Sequence, residues 1–203
     1  MSRPYVDFGR TGQKRRTLDA LVAAARDIVA AGATPTVDDA ALAAGVARST
    51  AYRYFPGQRE LLAAAHPETA RASMLPANPP ENVAERLDAV VVEFTSMIVA
   101  TEAQQRTMLR LSLESDQGRN LPVRQGRPIG WITEALAPLQ ERLADEEIHR
   151  LVLAIRSAIG IESLVWLTDI GGLSRDAAVA SMRWSANALL NQALLQGPPG
   201  AAR

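Results

Sequence analysis

Six of the seven residues from Arg48 to Tyr54 end in a group that can hydrogen-bond: Arg48, Ser49, Thr50, Tyr52, Arg53 and Tyr54. The chemistry open to this set is recognition. An arginine can bond guanine O6 and N7 in a pair, hydroxyls can reach bases or phosphates, and a threonine methyl can touch thymine. Tyrosine hydroxyls go to phosphate oxygens and set register rather than base choice. Only Ala51 and Phe55 look like simple packing groups. That surface is wrong for a core helix and suits a helix laid in the DNA major groove. The plainer reading is a solvated surface helix with two partly buried tyrosines. It explains each residue singly, but not the signals on either side.

Those signals define the elements that must hold the polar face. Thr36 can cap a helix, and Asp39, three residues on, can reach back to complete a capping box. The spacing predicts a helix from about Val37 to Ala44, with small apolar residues at Val37, Ala40, Ala41 and Ala44. Small residues let two short helices approach closely. Gly45 ends this helix, because glycine accepts positive φ without steric penalty. Val46 becomes a plug between the two helices. The second helix starts near Ala47 and stops before Pro56-Gly57, a strong breaker. Helix, short turn and second helix make a helix-turn-helix.

Taken together, Lys14 to Ala65 resembles the DNA-binding domain of the TetR family of bacterial transcriptional regulators. The residues that carry the resemblance are Lys14-Arg15-Arg16, Thr36-Val37-Asp38-Asp39, Gly45-Val46, Ser49-Thr50, Tyr52-Arg53-Tyr54-Phe55-Pro56 and Glu60-Leu61-Leu62, about a quarter of the chain. One departure is visible. The family usually has a lysine three residues after the phenylalanine, where this chain has Gln58, followed by Arg59. The resemblance implies DNA contacts from Lys14, Arg15, Arg16, Thr36, Arg48, Ser49, Thr50, Tyr52, Arg53 and Tyr54, with Arg59 in place of the missing lysine. Lys14-Arg15-Arg16 is expected to act as a phosphate or minor-groove arm.

Composition bounds the rest. The chain has 203 residues, 47% of them hydrophobic, with zero net charge and no cysteine. Disulfides and thiolate chemistry are excluded. Residues 1–60 carry nine Lys+Arg against six Asp+Glu, whereas residues 61–203 carry thirteen against sixteen. The sign of this asymmetry fits a basic N-terminal reader and a remainder that does not touch DNA. No secretory leader and no uncharged run of membrane-spanning length stand out, so a soluble cytoplasmic protein with no membrane partner is expected. The two histidines, His66 and His149, have neither metal-ligand spacing nor a nucleophile beside them. Gly9-Arg10-Thr11-Gly12 lacks the spacing of a phosphate loop. No enzyme, catalytic residue, metal or cofactor is expected.

The fold class read from this pattern is all-α. A three-helix helix-turn-helix domain (1–66) is followed by a helical effector-binding and dimerisation domain (81–197). Helix one is placed at Arg16–Ala31, after ten to thirteen mobile residues. A fourth helix starts after Pro56-Gly57. A proline-rich linker spans Ser73 to Pro80, and the hinge is placed in helix four and residues 67–80. Helices follow at Asn82–Ala100 and Glu102–Ser115, then a loop at Gly118–Gly130. Trp131–Leu143 is helical with a kink at Pro138, and one long helix runs from Asp145 to about Asp169. After Gly171-Gly172, Ser174 caps a last helix that reaches Gln196. The resemblance implies that the last two helices form a four-helix bundle with a two-fold mate. Symmetry argues the same way, since one reading helix covers only a few base pairs.

The middle helices are expected to enclose an effector cavity. Its candidate lining is Phe94, Met97, Ile98, Met108, Leu109, Leu113, Trp131, Ile132, Glu162, Trp166 and Asp169. Glu162 and Asp169 are the sharpest of these. Seven residues apart on an apolar helix, they share nearly one face, and each needs a partner or water. Either they anchor a small-molecule effector, or they form salt bridges to Arg156 or Arg110. The expected function is a ligand-responsive DNA-binding regulator, a repressor released by its effector. The competing reading is a helical ligand-binding or scaffold protein with a non-specific or vestigial DNA reader.

Overall fold

The computed structural model describes residues 7–66, 71–113 and 126–200. The described residues are helical with no strand. They fall into two compact units. One holds residues 7–66 and 103–113, the other residues 71–102 and 126–200.

The first unit is built on α1 (Asp7–Ala30), α2 (Val37–Ala43), α3 (Arg48–Tyr54) and α4 (Gln58–Ala65). Helix α1 packs on α2 and α4, and α2 packs on α3. The core joins Leu21 and Ala25 of α1 to Val37, Ala40 and Ala41 of α2, Ala51 of α3, Phe55, and Leu61 and Ala65 of α4. Five alanines among these contacts explain how such short helices cross closely. Two expectations change here. Helix α1 starts at Asp7, nine residues before the expected Arg16, so the segment 7–15 is helical rather than loose. Gly9 and Gly12 lower helix propensity without forbidding it. The unit also takes in α6 (Glu102–Leu113), expected with the second domain. Met108 of α6 packs with Val29 and Leu62, and the Thr34 and Thr107 hydroxyls meet at 3.1 Å.

The second unit contains α5 (Val83–Ala100), α7 (Arg127–Ala135), α8 (Asp145–Ile159), α9 (Ile161–Val165) and α10 (Arg175–Gln196). Asn82 caps α5 by accepting from the Ala84 and Glu85 N–H groups at 2.8 and 3.3 Å. Ser174 caps α10 through Ala177 N–H at 3.2 Å. Helix α10 packs on α8 and α5, and α7 packs on both α5 and α8. The core is drawn from Leu87, Val90, Val91 and Phe94 of α5, Trp131 and Ile132 of α7, Leu151, Val152 and Ile155 of α8, and Met182 and Ala186 of α10.

Three sequence expectations are corrected in this unit. Helix α7 opens at Arg127 inside the expected loop, because Pro128 sits in its first turn, where no N–H is needed. It ends at Ala135, and Pro138 lies in a separate 3-10 turn, Ala137–Glu141. The run from Asp145 breaks at Gly160, and Trp166–Ile170 is wound as a π-helix. Finally, residues 71–80 are tied down. Ser73 Oγ donates to Glu134 at 2.7 Å, Trp131 Nε1 donates to Ala72 O at 3.2 Å, and Met74 is buried. Arg86 donates to the carbonyls of Ala135, Glu134 and Pro80 at 3.0, 2.9 and 3.3 Å. A hinge at residues 71–80 would have to break these bonds; residues 67–70 lie outside the described residues. By length and composition alone the helical run Asp145–Ile170 could cross a membrane. In the fold, Leu151, Val152, Ile155, Ile159 and Leu164 of that run are buried, as in a core helix.

Candidate nucleic-acid interface

The polar face of α3 is positioned by the helix before it. Thr36 Oγ1 accepts from Asp39 N–H at 3.1 Å, and Asp39 Oδ2 accepts from Thr36 N–H at 2.9 Å and from its hydroxyl at 2.6 Å. These hydrogen bonds hold the Asp39 carboxyl below its ordinary pKa, the side-chain bond contributing most. At the other end of α2, Gly45 takes φ +64°. Its N–H bonds Leu42 O at 3.2 Å, and Val46 N–H bonds Ala41 O at 2.9 Å. This pair of bonds is the Schellman arrangement, which satisfies carbonyls left open at a helix end. Val46 then packs against the core between α2 and α3, as expected.

On α3, Ala51 is fully buried and Phe55, just past its end, is buried beside it. These two anchor the inner side. Arg48, Ser49, Tyr52 and Arg53 are exposed, and Thr50 is half-buried. Four of the six expected contact residues therefore share an outward face. Tyr54 is turned toward the core and packs against it. Arg48 is paired with Asp38 of α2.

The other expected contacts are placed differently. Lys14, Arg15 and Arg16 are exposed but stand within α1, not on a separate arm. Arg15 lies 3.9 Å from Asp19, and Arg16 donates to Gln13 at 2.9 Å. Gln58, which replaces the family lysine, opens α4 and donates to Pro35 O at 3.0 Å. Arg59 is half-buried and held by contacts within the protein.

Residues 20–65 match the sequence profile of the family described as bacterial regulatory proteins, tetR family. These residues carry the DNA-binding domain of the TetR family. The match supports DNA binding in the regulation of transcription. The chain shares its fold with the crystal structure of a TetR transcriptional regulator from Rhodococcus sp. RHA1. The TM-score is 0.60 at 18% identity, over 87% of this chain and 97% of that one. At this identity the likeness is one of fold. No curated protein sequence matches the chain.

The candidate effector residues are divided between the two units. Phe94, Met97, Ile98, Trp131 and Ile132 are buried in the second unit as packed core. The rings of Phe94 and Trp131 meet edge to face at 6.0 Å. Met108 is buried in the first unit, where Leu109 is half-buried and Leu113 exposed. Glu162, Trp166 and Asp169 are exposed. The break at Gly160 and the π-helical turn carry them outward. Glu162 pairs with Arg156 at 3.4 Å, and Asp169 accepts from the Thr168 hydroxyl at 2.9 Å. Of the two salt-bridge partners the sequence offers, Arg156 is in contact with Glu162. The sequence does not foretell that the Arg156 guanidinium sits 5.5 Å from the Phe94 ring centroid. Gly160 makes room for it, since a Cβ there would stand 1.9 Å from Arg156 Nη1.

Two open grooves mark the second unit. One, of about 800 Å³, lies between α5 and α10 and is lined by Ser96, Val99, Ala100, Asp176, Val179, Ala180, Arg183, Trp184 and Asn187. The other, about 340 Å³, is lined by Ala158, Glu162, Ser163, Trp166, Leu167 and Ser185. Arg183 beside the first groove is paired with Asp88, with Nη2 and Oδ2 2.5 Å apart.

Proposed function

We propose that this chain is a ligand-responsive repressor that binds a palindromic operator as a homodimer and is released by a small-molecule effector. The observation that carries the DNA half of this reading is the outward face of α3. Arg48, Ser49, Tyr52 and Arg53 stand exposed on a helix whose inner side is fixed by Ala51 and Phe55. Lys14, Arg15, Arg16, Thr36 and Thr50 surround that face in the sequence and serve phosphate contact, whereas Tyr54, turned to the core, and Arg59, held within the protein, do not.

The dimer half is supported by the apolar surface left on the last helices. Trp184 is 73% exposed and Leu195 81%, and their spacing on α10 puts them on one face. Ser181, Ser185 and Ala188 lie on the same helix as Trp184 and leave room for a close neighbour. Large apolar groups gathered on one surface mark an interaction site more often than single scattered ones do. The effector half rests on the grooves of the second unit, the smaller of which holds Glu162 and Trp166. An effector that prefers a conformation with misplaced readers weakens operator binding by the coupling free energy, about 1–3 kcal/mol.

Selection of duplexes from a random pool with the full-length chain tests this function. The recovered duplex should bind at least about a thousandfold more tightly than random sequence at physiological salt. Arg53→Ala and Tyr52→Ala should each weaken it without unfolding the protein. A chain that binds all duplexes alike is a scaffold with a vestigial reader. Candidate apolar ligands titrated into the complex test release. If none ever frees the DNA, the effector half fails.

A further inference from the structure

Arg48 is gripped from outside its own helix. Asp38, in the first turn of α2, accepts from Arg48 Nε through Oδ1 at 2.7 Å and from Nη2 through Oδ2. The pair is open to solvent, with side-chain exposures of 73% for Arg48 and 36% for Asp38. Ion pairs so exposed stabilise a fold very little. The consequence of this one is geometric.

A guanidinium carries five N–H donors in one rigid plane. Asp38 takes the Nε–H and one Nη2–H. Asp38 leaves open the far edge, with the Nη1 hydrogens and the second Nη2 hydrogen, and the Tyr52 hydroxyl lies near enough to interact with the group. Two parallel donors on one edge are the fork that matches guanine O6 and N7. Position agrees with chemistry. Arg48 is the first residue of α3, and Ala47 is its N-cap. In a helix-turn-helix, the N-terminal residues of the second helix are the ones that reach base edges. An arginine without such a brace must give up its rotamer freedom on binding.

We propose that Asp38 is a specificity-determining positioning residue that clamps Arg48 so that its far edge reads a guanine. This rests on the DNA-reading function above. It differs from mere competition, in which Asp38 would only draw Arg48 away from phosphate. The two make opposite statements about the Asp38→Ala variant.

The test uses the full-length chain and the duplex recovered by selection. The base pair read by Arg48 is the G·C whose change to A·T costs affinity in the native protein but not in Arg48→Ala. Asp38→Ala should reduce discrimination at that pair by about tenfold, the scale of one good bidentate contact. Its affinity for random duplex should hold or rise, because a negative charge near phosphate is gone. Asp38→Asn, which keeps the shape but offers an N–H toward Nη2, should also lose discrimination. In an Arg48→Ala background, Asp38→Ala should change discrimination no further. Full discrimination in both Asp38 variants, or an equal gain on specific and random duplexes, would overturn the inference while leaving the DNA reader intact. Failure to enrich any sequence would overturn the reader itself, and the inference with it.

Discussion

Replacing Gly45 by alanine separates the geometry of the α2–α3 turn from every side-chain contact. Gly45 has φ +64°, and a Cβ built on it meets no atom within 4 Å. Neighbouring atoms therefore add no steric cost. What remains is the left-handed backbone, which costs an L-residue about 1–2 kcal/mol. Alanine also restricts the unfolded chain, which offsets about 0.4–1 kcal/mol of that. The net loss should be about 1 kcal/mol, a several-fold change in the folded-to-unfolded ratio. Asparagine tolerates this region better and should lose less, whereas β-branched valine should lose more. Urea unfolding of the three variants at constant m-value reads the order directly. A loss above about 3 kcal/mol for alanine would mean that the turn is packed against something, contrary to the open space around it. No loss for valine would mean that the turn does not use positive φ.

Other perturbations test other parts of the molecule. Phe94→Ala removes a buried ring packed edge to face against Trp131, and should destabilise the second unit by about 3–5 kcal/mol in denaturant unfolding. The hydrogen bond from Arg183, aided by its charge and by Asn187, holds the Asp88 carboxyl below its ordinary pKa. A group with a depressed folded pKa stabilises fully above its unfolded value and loses that contribution as pH falls through the folded one. The native chain should therefore lose stability below about pH 4 more steeply than Asp88→Asn, and identical acid-unfolding curves would remove the pair from the account. Trp184→Glu places a charge on the exposed apolar surface of α10 and should shift the chain toward monomer in sedimentation velocity, with its helical signal unchanged. An unaltered sedimentation coefficient would place the dimer contact elsewhere.

The reader was legible because its rules are local. Thr36 with Asp39, Gly45 with Val46, and Pro56-Gly57 each fix the backbone through neighbours within a few residues. The face of α3 followed from side-chain type alone, except at Tyr54, where the choice between surface and core depends on packing with the rest of the domain. The second unit was less legible. Gly160 sits in an apolar run where glycine reads as one more small residue. Its true role is set by Arg156, which folds across it toward Phe94, more than 60 residues away. The seven-residue spacing of Glu162 and Asp169 reads as one helical face, but the π-helical turn at Trp166–Ile170 changes the winding between them, and both are exposed. Met108 likewise carries no local mark of its partners Val29 and Leu62. The start of α1 was missed because Gly9 and Gly12 read as loop residues.

The central claim is that two copies of α3, one from each protomer, enter successive major grooves of one duplex. Footprinting the full-length chain on its selected duplex, with stoichiometry measured in parallel, tests it most directly. The account predicts two chains per duplex and two inverted patches of major-groove protection, with centres about 34–36 Å apart or a multiple of that. A single patch with one bound chain, or protection spread evenly along the duplex, would contradict it.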